Sequence, residues 1–190
     1  MSLTDFELVR ETLGGSTIAF DELMRRYEKL VYRIAFGFGK NNDNSMDITQ
    51  NVFLKTYEKL HSFKMNSSFK TWITRIAFNE GINWTRKNRH SSSQELFDEG
   101  IMNYENKSIS QEDEFLAREN KSQLIQSLFA LNTRYRLAVV LRYFEDMPVK
   151  EIAGVLECSE GVVKSMLFRS LQRLKNNLRQ SDIGDNYGQV

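Results

Sequence analysis

From Phe20 onward the apolar residues Leu23, Met24, Tyr27, Leu30, Val31, Ile34, Ala35 and Phe38 recur at helical spacing. Wound at ~100° per residue they fall within a stripe about 140° wide, which predicts one long helix with a buried face. A shorter helix, Asp5 to Leu13, is predicted ahead of it and stops at Gly14-Gly15, while the polar run from Gly39 to Asn44 predicts a turn. Two further helices, Met46 to Leu60 and Ser68 to Lys87, joined by the loop His61 to Ser67, complete a first domain of four helices. From Ser91 to Glu114 the chain reads as serines, acids and asparagines with scattered apolar residues and no sustained period, the pattern of a linker that is mobile when the protein is free.

Helical spacing returns with Phe115, Leu124, Leu128 and Leu131, continues through Leu137, Val140, Leu141 and Phe144, and restarts after Asp146-Met147-Pro148. Proline is tolerated at a helix start because the amide it lacks would have no partner there. Val149 to Leu156 and Glu160 to about Arg179 are separated only by Glu157, Cys158 and Ser159, the short turn of a helix-turn-helix. Residues beyond Gln180 are expected to fray. The expected architecture is all-α: two small helical domains at residues 4–90 and 115–180, an acidic polar linker at 91–114 and a tail at 181–190.

Composition narrows the function. The 190 residues include one proline, one cysteine and 27% charged residues, too polar for a membrane protein. Lone Cys158 excludes a disulfide framework or cysteine zinc cluster, and His61 and His90 have no partners at metal-ligand spacing. There is no glycine-rich phosphate loop. No catalytic residue, metal or cofactor is therefore expected. No stretch nears the ~18 apolar residues of a membrane span, and Met1 to Arg10 is acidic and amphipathic, unlike a secretory signal, so the expected location is cytoplasmic. The net charge of +1 conceals a pattern: 13 Lys and Arg against 7 Asp and Glu in residues 16–90, 2 against 8 in 91–120, and 10 against 5 in 121–179. Two basic blocks flanking an acidic one suit two contacts with a polyanion, although basic faces are often simply solvated.

Three helices carry candidate chemistry. On the last, Val163, Leu167, Leu171, Leu174 and Leu178 form a narrow stripe expected to pack on Ile152 and Leu156. The opposite face presents Lys164, Ser165, Phe168, Arg169 and Gln172. Lys and Arg can bind phosphates or guanine edges and an aromatic can touch a thymine methyl, so this face suits a groove-reading helix; the plain alternative is the charged outside of a bundle. On the helix after Ser68, Arg75, Asn79, Asn83 and Arg86 line up beside an apolar stripe of Phe69, Trp72, Ile73 and Ile76, with Arg86, Lys87 and Arg89 as a basic end. Phe63 and Trp84 offer flat faces for stacking unpaired bases, core packing being the alternative for each. On the helix from Met46, Val52, Phe53, Thr56 and Leu60 face inward. Asp47, Gln50, Asn51, Leu54 and Glu58 face outward, and a leucine among polar groups there suits docking onto another protein.

Together these residues resemble a known family. Asp47-Ile-Thr-Gln-Asn-Val-Phe53, Phe69-Lys-Thr-Trp-Ile-Thr-Arg-Ile-Ala77 with Asn79 and Asn83, Glu151-Ile-Ala153, and Cys158-Ser-Glu-Gly-Val-Val-Lys-Ser165 are similar, in order and spacing, to the bacterial extracytoplasmic-function sigma factors of RNA polymerase. The resemblance covers about residues 4 to 179. It implies an N-terminal sigma region 2-like domain that binds the polymerase clamp helices and opens the minus-10 element, and a C-terminal sigma region 4-like helix-turn-helix domain that reads the minus-35 element. It places Asp47, Gln50, Asn51 and Leu54 at the grip on core polymerase. Phe63, Asn79 and Asn83, with Arg75, Arg86 and Lys87 alongside, fall at the minus-10 DNA, where the family captures a flipped base. Lys164, Ser165, Phe168 and Arg169 fall on the minus-35 recognition helix. Three positions depart from the family: Asn51 where an acid is usual, Met166 where a basic residue is common, and Leu131-Asn132-Thr133 in place of a leucine-proline start.

The expected function is transcription initiation, with core RNA polymerase (clamp helices and flap), duplex and melted promoter DNA and a possible anti-sigma factor as partners, and no small-molecule substrate or cofactor. The rival is a polymerase-independent helix-turn-helix regulator, which leaves the outward Asp-Gln-Asn-Leu face of the first domain without a purpose. A helical adaptor with no DNA role leaves the Lys164 to Arg169 face unexplained.

Overall fold

The computed structural model describes residues 3–88 and 123–185, with side chains described to residue 178. The expected linker, Phe115, Arg89 and His90 lie outside the described residues. The chain divides into two compact units, and among the described residues both are helical with no strand.

The first unit holds α1 (Asp5–Leu13), α2 (Thr17–Gly39), α3 (Asn42–Lys59), a 3-10 turn (Leu60–Ser62) and α4 (Phe69–Lys87). Each helix starts where a side chain can accept from an otherwise unpartnered backbone N–H. Thr4 closes a capping box with Glu7, and the Thr4 bonds hold the Glu7 carboxyl below its ordinary pKa. Ser16 accepts from Ala19 N, Asn41 from Asn44 N, and Ser68 from Thr71 N. The break between α2 and α3 is shorter than the polar run from Gly39 to Asn44 suggests. Lys40 takes a left-handed φ of 64°, its N–H bonds to Phe36 O at 3.1 Å, and the Asn41 cap restarts the helix at once.

α2 is the hub, packed on α1, α3 and α4. Its Leu23, Leu30, Val31, Ile34 and Ala35 are buried with Ile48 and Val52 of α3 and Phe69, Ile73 and Ala77 of α4. Burial of a side chain of this size contributes about 1.5 to 3 kcal/mol. Gly81 lets α4 approach α2: a Cβ there would lie 2.1 Å from the Phe38 ring. α1 is tied down by polar contacts as well, since Arg26 pairs with Asp5 at 3.0 Å and the Tyr27 hydroxyl donates to Asp5.

Beyond residue 122 the described chain holds a helix at 123–129 (α5), α6 (Thr133–Val139) running into a π turn (Val140–Phe144), α7 (Val149–Leu156) and α8 (Glu160–Asp185). Asn132 caps α6 by accepting from Arg134 N. Arg136, 4% exposed, secures the same corner: its guanidinium donates to the Phe129 and Leu131 carbonyls at 3.1 and 3.2 Å and lies over the Phe129 ring. Burial pushes that guanidinium down to about 10. The turn between α7 and α8 is as short as expected, with Glu157 at φ 52° and Ser159 accepting from Val162 N. α8 continues to Asp185, past the expected end near Arg179.

The buried face of α8 corrects the expected stripe. Val163, Leu167 and Leu174 are buried and Leu178 is half-buried, but Leu171 is 44% exposed, while Met166 and Ser170 are buried. The true stripe is thus rotated by about 50° at ~100° per residue. α8 packs along α6, and Met166 and Ser170 lie in its buried face. Met166 is a core residue.

Candidate functional site

Two surfaces of the first unit bear the expected residues. On α3, Val52 and Thr56 are buried and Phe53 is half-buried, which turns Asp47, Gln50, Asn51 and Leu54 outward; Leu54 is 63% exposed. The structure adds Met46 and Tyr57 to this face, 48% and 54% exposed. Tyr57 stands edge-on to Phe20 of α2 with centroids 4.9 Å apart. The helical pattern carried that signal, since Tyr57 lies ~60° from Leu54 around the helix. The result is an apolar ridge flanked by polar groups that can hydrogen-bond, a surface suited to another protein.

On α4, Arg75, Asn79, Arg86 and Lys87 are exposed on one side, and Asn83 is half-buried beside them. The helix register places them together because Phe69, Ile73, Ala77 and Gly81 hold the opposite side against α2. Asn83 does not stand free. Its Nδ2 donates to Glu80 Oε1 at 3.3 Å, and the same oxygen accepts from Lys55 of α3 at 2.6 Å. Glu80 and Lys55 were missed in the sequence because an i to i+25 pair leaves no periodic mark.

Phe63 is the main correction in this unit. The loop from His61 to Ser67 is exposed at every other position, yet Phe63 itself is only 6% exposed. Its ring lies 5.2 Å from Trp72, 5.6 Å from Phe69 and 6.2 Å from Phe6 of α1, the last nearly parallel at 9°. In this conformation Phe63 is the anchor of the loop and not a free wall for a base. The half-exposed rings nearby are Trp72 and Phe6, and Trp84 is also half-buried. Tyr27 backs the cluster through Phe69 at 5.2 Å; burial, then its bond to Asp5, raises its phenol above the ordinary value.

In the second unit Lys164, Ser165, Phe168 and Arg169 are all exposed on α8, Phe168 by 65%. Leu171 joins them, so the face combines two cations with two apolar side chains. Such a face can meet phosphates and base methyls in a groove. Among the described residues no group of three or more His, Cys, Asp and Glu is placed to hold a metal, and no helix is long and apolar enough to cross a membrane.

Residues 23–91 match Sigma-70 region 2 and residues 121–174 match Sigma-70, region 4. The chain is 30% identical over 183 residues to the ECF RNA polymerase sigma-E factor of Escherichia coli, covering 93% of this chain and 95% of that protein. It is 29% identical to the sigma-E factor of Haemophilus influenzae over 183 residues (93% and 96%) and 27% identical to the sigma factor SigW of Bacillus subtilis over 177 residues (90% and 95%). Among solved structures, CnrH in complex with the cytosolic domain of CnrY has the same fold at a TM-score of 0.68 and 22% identity, covering 93% of this chain and 97% of that one. The sigma factor RpoE of Bartonella quintana, crystallised with the anti-sigma factor NepR, has it at 0.66 and 21%, covering 84% and 96%.

Proposed function

The chain belongs to the extracytoplasmic-function sigma factors of the sigma-70 family, and from that premise we propose how its surfaces divide the work of directing RNA polymerase to a promoter. Residues 4–90 form the domain that binds core polymerase and melts the minus-10 element. Residues 115–180 form the domain that reads the minus-35 element, with 91–114 linking the two. The protein acts in the cytoplasm, where its polymerase and promoter are, as a transcription factor without catalysis of its own. CnrH and the Bartonella sigma factor were both solved with a partner, and by that likeness an anti-sigma factor is a candidate regulator here.

The observation that carries this reading is the α3 face. Asp47, Gln50, Asn51 and Leu54 project from a helix whose other side is core, and the exposed Leu54 with Met46 and Tyr57 makes an apolar ridge rimmed by polar groups, the make-up of a docking surface. Core polymerase is that partner. Arg75, Asn79, Arg86 and Lys87 supply phosphate and base-edge contacts to the minus-10 strand, with Asn83 beside them and Phe63 holding the loop in place. Lys164, Ser165, Phe168 and Arg169 supply those to the minus-35 duplex. A regulator that binds an operator alone has no use for the α3 face.

The test is reconstitution with core RNA polymerase. Wild type is expected to bind core enzyme and support promoter-specific run-off transcripts. Gln50→Ala with Leu54→Ala should weaken core binding by ~1 to 3 kcal/mol, the range for central interface contacts, with the circular-dichroism melt unchanged. Wild-type affinity in the double variant would remove α3 from the interface.

A further inference from the structure

Asparagine is an ambiguous reader of bases, because its amide presents a donor at one end and an acceptor at the other and can turn over. The surroundings of Asn83 remove that freedom. Glu80 is only 13% exposed at its side chain and stands between α3 and α4. Its Oε1 takes the Lys55 ammonium at 2.6 Å and the Asn83 Nδ2 at 3.3 Å. The carboxylate oxygen that takes the Lys55 ammonium acts as an acceptor, and the Asn83 amide meets that same oxygen. Only the Nδ2 end of Asn83 can therefore face Glu80, which leaves Oδ1, a pure acceptor, turned away from it.

We propose that Glu80, held by Lys55, is a positioning residue that locks the amide of Asn83 so that this asparagine offers an acceptor to promoter DNA and selects a base with an amine at purine C6 or pyrimidine C4. The inference rests on the assignment of Asn83 to the minus-10 strand. Where the amide meets the C6 group of a purine or the C4 group of a pyrimidine, adenine and cytosine present an amine and guanine and thymine a carbonyl, so the lock favours the first pair at one position of the element. Asn79 is exposed and has no such neighbour, so one strongly amine-selective position is expected and not two. Lys55 lies on the helix that presents Gln50 and Leu54, so one ion pair also ties the polymerase-facing helix to the base reader.

The test uses holoenzyme reconstituted from the full chain and core polymerase, with a promoter library randomised across the minus-10 element and sequencing of the transcripts. Wild type should favour adenine and cytosine over guanine and thymine at one position by about tenfold, the scale of one good base contact. Glu80→Gln offers both a carbonyl and an amine to Asn83, and the preference at that position should fall severalfold. The exchange Lys55→Glu with Glu80→Lys restores an ion pair across the helices but places a donor-only ammonium beside Asn83. The amide should then turn over, and the preference should invert toward guanine and thymine. If the exchanged pair opens promoters with the wild-type preference, or if Glu80→Gln lowers transcription equally for every base, the positioning role is wrong and Glu80 only stabilises the fold. Asn83→Ala separates the premise: a preference unchanged in that variant takes Asn83 off the DNA, whereas a lost preference with Glu80→Gln silent overturns the positioning role alone.

Discussion

Phe63→Ala is the substitution that best tests how this structure is built. The ring is 6% exposed and meets Phe6, Phe69 and Trp72 at 6.2, 5.6 and 5.2 Å, so truncation removes contacts on three sides. Phe to Ala in a core costs about 3 to 5 kcal/mol. Here the lower end applies, because Lys64 and Met65 are exposed and Phe6 is 42% exposed, leaving the loop and α1 free to close on part of the cavity. Both tryptophans, Trp72 and Trp84, lie in the first unit, so tryptophan fluorescence follows its melting without interference from the second. For a unit of this size 1 kcal/mol corresponds to roughly 4 to 8 °C, so a loss of about 3 kcal/mol lowers the midpoint by about 12 to 24 °C. Asn79→Ala, at an exposed position, should stay within about 0.5 kcal/mol of wild type. Permanganate footprinting of promoter thymines below both midpoints should then show impaired opening in each variant, with a fold defect only in Phe63→Ala. A fluorescence midpoint within ~4 °C of wild type would refute the packing argument: Phe63 would then spend its time outside the cluster, as a loop side chain free to stack on a base.

Three further outcomes follow from the geometry. Gly81→Ala gains about 1 kcal/mol of helix propensity but drives a Cβ to 2.1 Å from the buried Phe38 ring, so a net loss of about 1 to 3 kcal/mol is expected in the same melt; a stabilised variant would show that α4 and α2 do not approach this closely. Tyr27→Phe loses the hydroxyl bond to Asp5 and should cost about 1 kcal/mol at neutral pH. The folded Tyr27 phenol titrates above its ordinary value, so its contribution is complete below about pH 10 and lost as pH rises further, and denaturation at pH 8 and 11 should show the gap between the two proteins narrowing. Arg169→Ala, at an exposed position of α8, should lower run-off transcription by ~1 to 3 kcal/mol at one base pair of the upstream element. A loss spread evenly over upstream sequences would assign the guanidinium to phosphate instead.

Much of this protein is determined by its sequence because helices write their own limits locally. Period, cap and breaker place α1 at Asp5–Leu13, α4 after the Ser68 cap, and the short turn between α7 and α8, each depending on residues within a few positions of one another. The outward residues of α3 and the exposed face of α8 are legible for the same reason: once the inward stripe is known, the rest must face out. Tertiary structure decided what depends on a neighbour distant in the chain. Phe63 reads as a loop aromatic until α1 and α4 bring Phe6, Phe69 and Trp72 around it. Leu171 and Met166 are both apolar and both near the edge of a stripe, so only the packing of α8 in the folded chain settles which is buried. The Lys55, Glu80 and Asn83 chain joins residues 25 positions apart, and such a pairing exists only after α3 and α4 have packed. Local rules thus fix where the helices run and which faces are polar, whereas the hydrogen-bond partner that gives a polar side chain its orientation is supplied by packing.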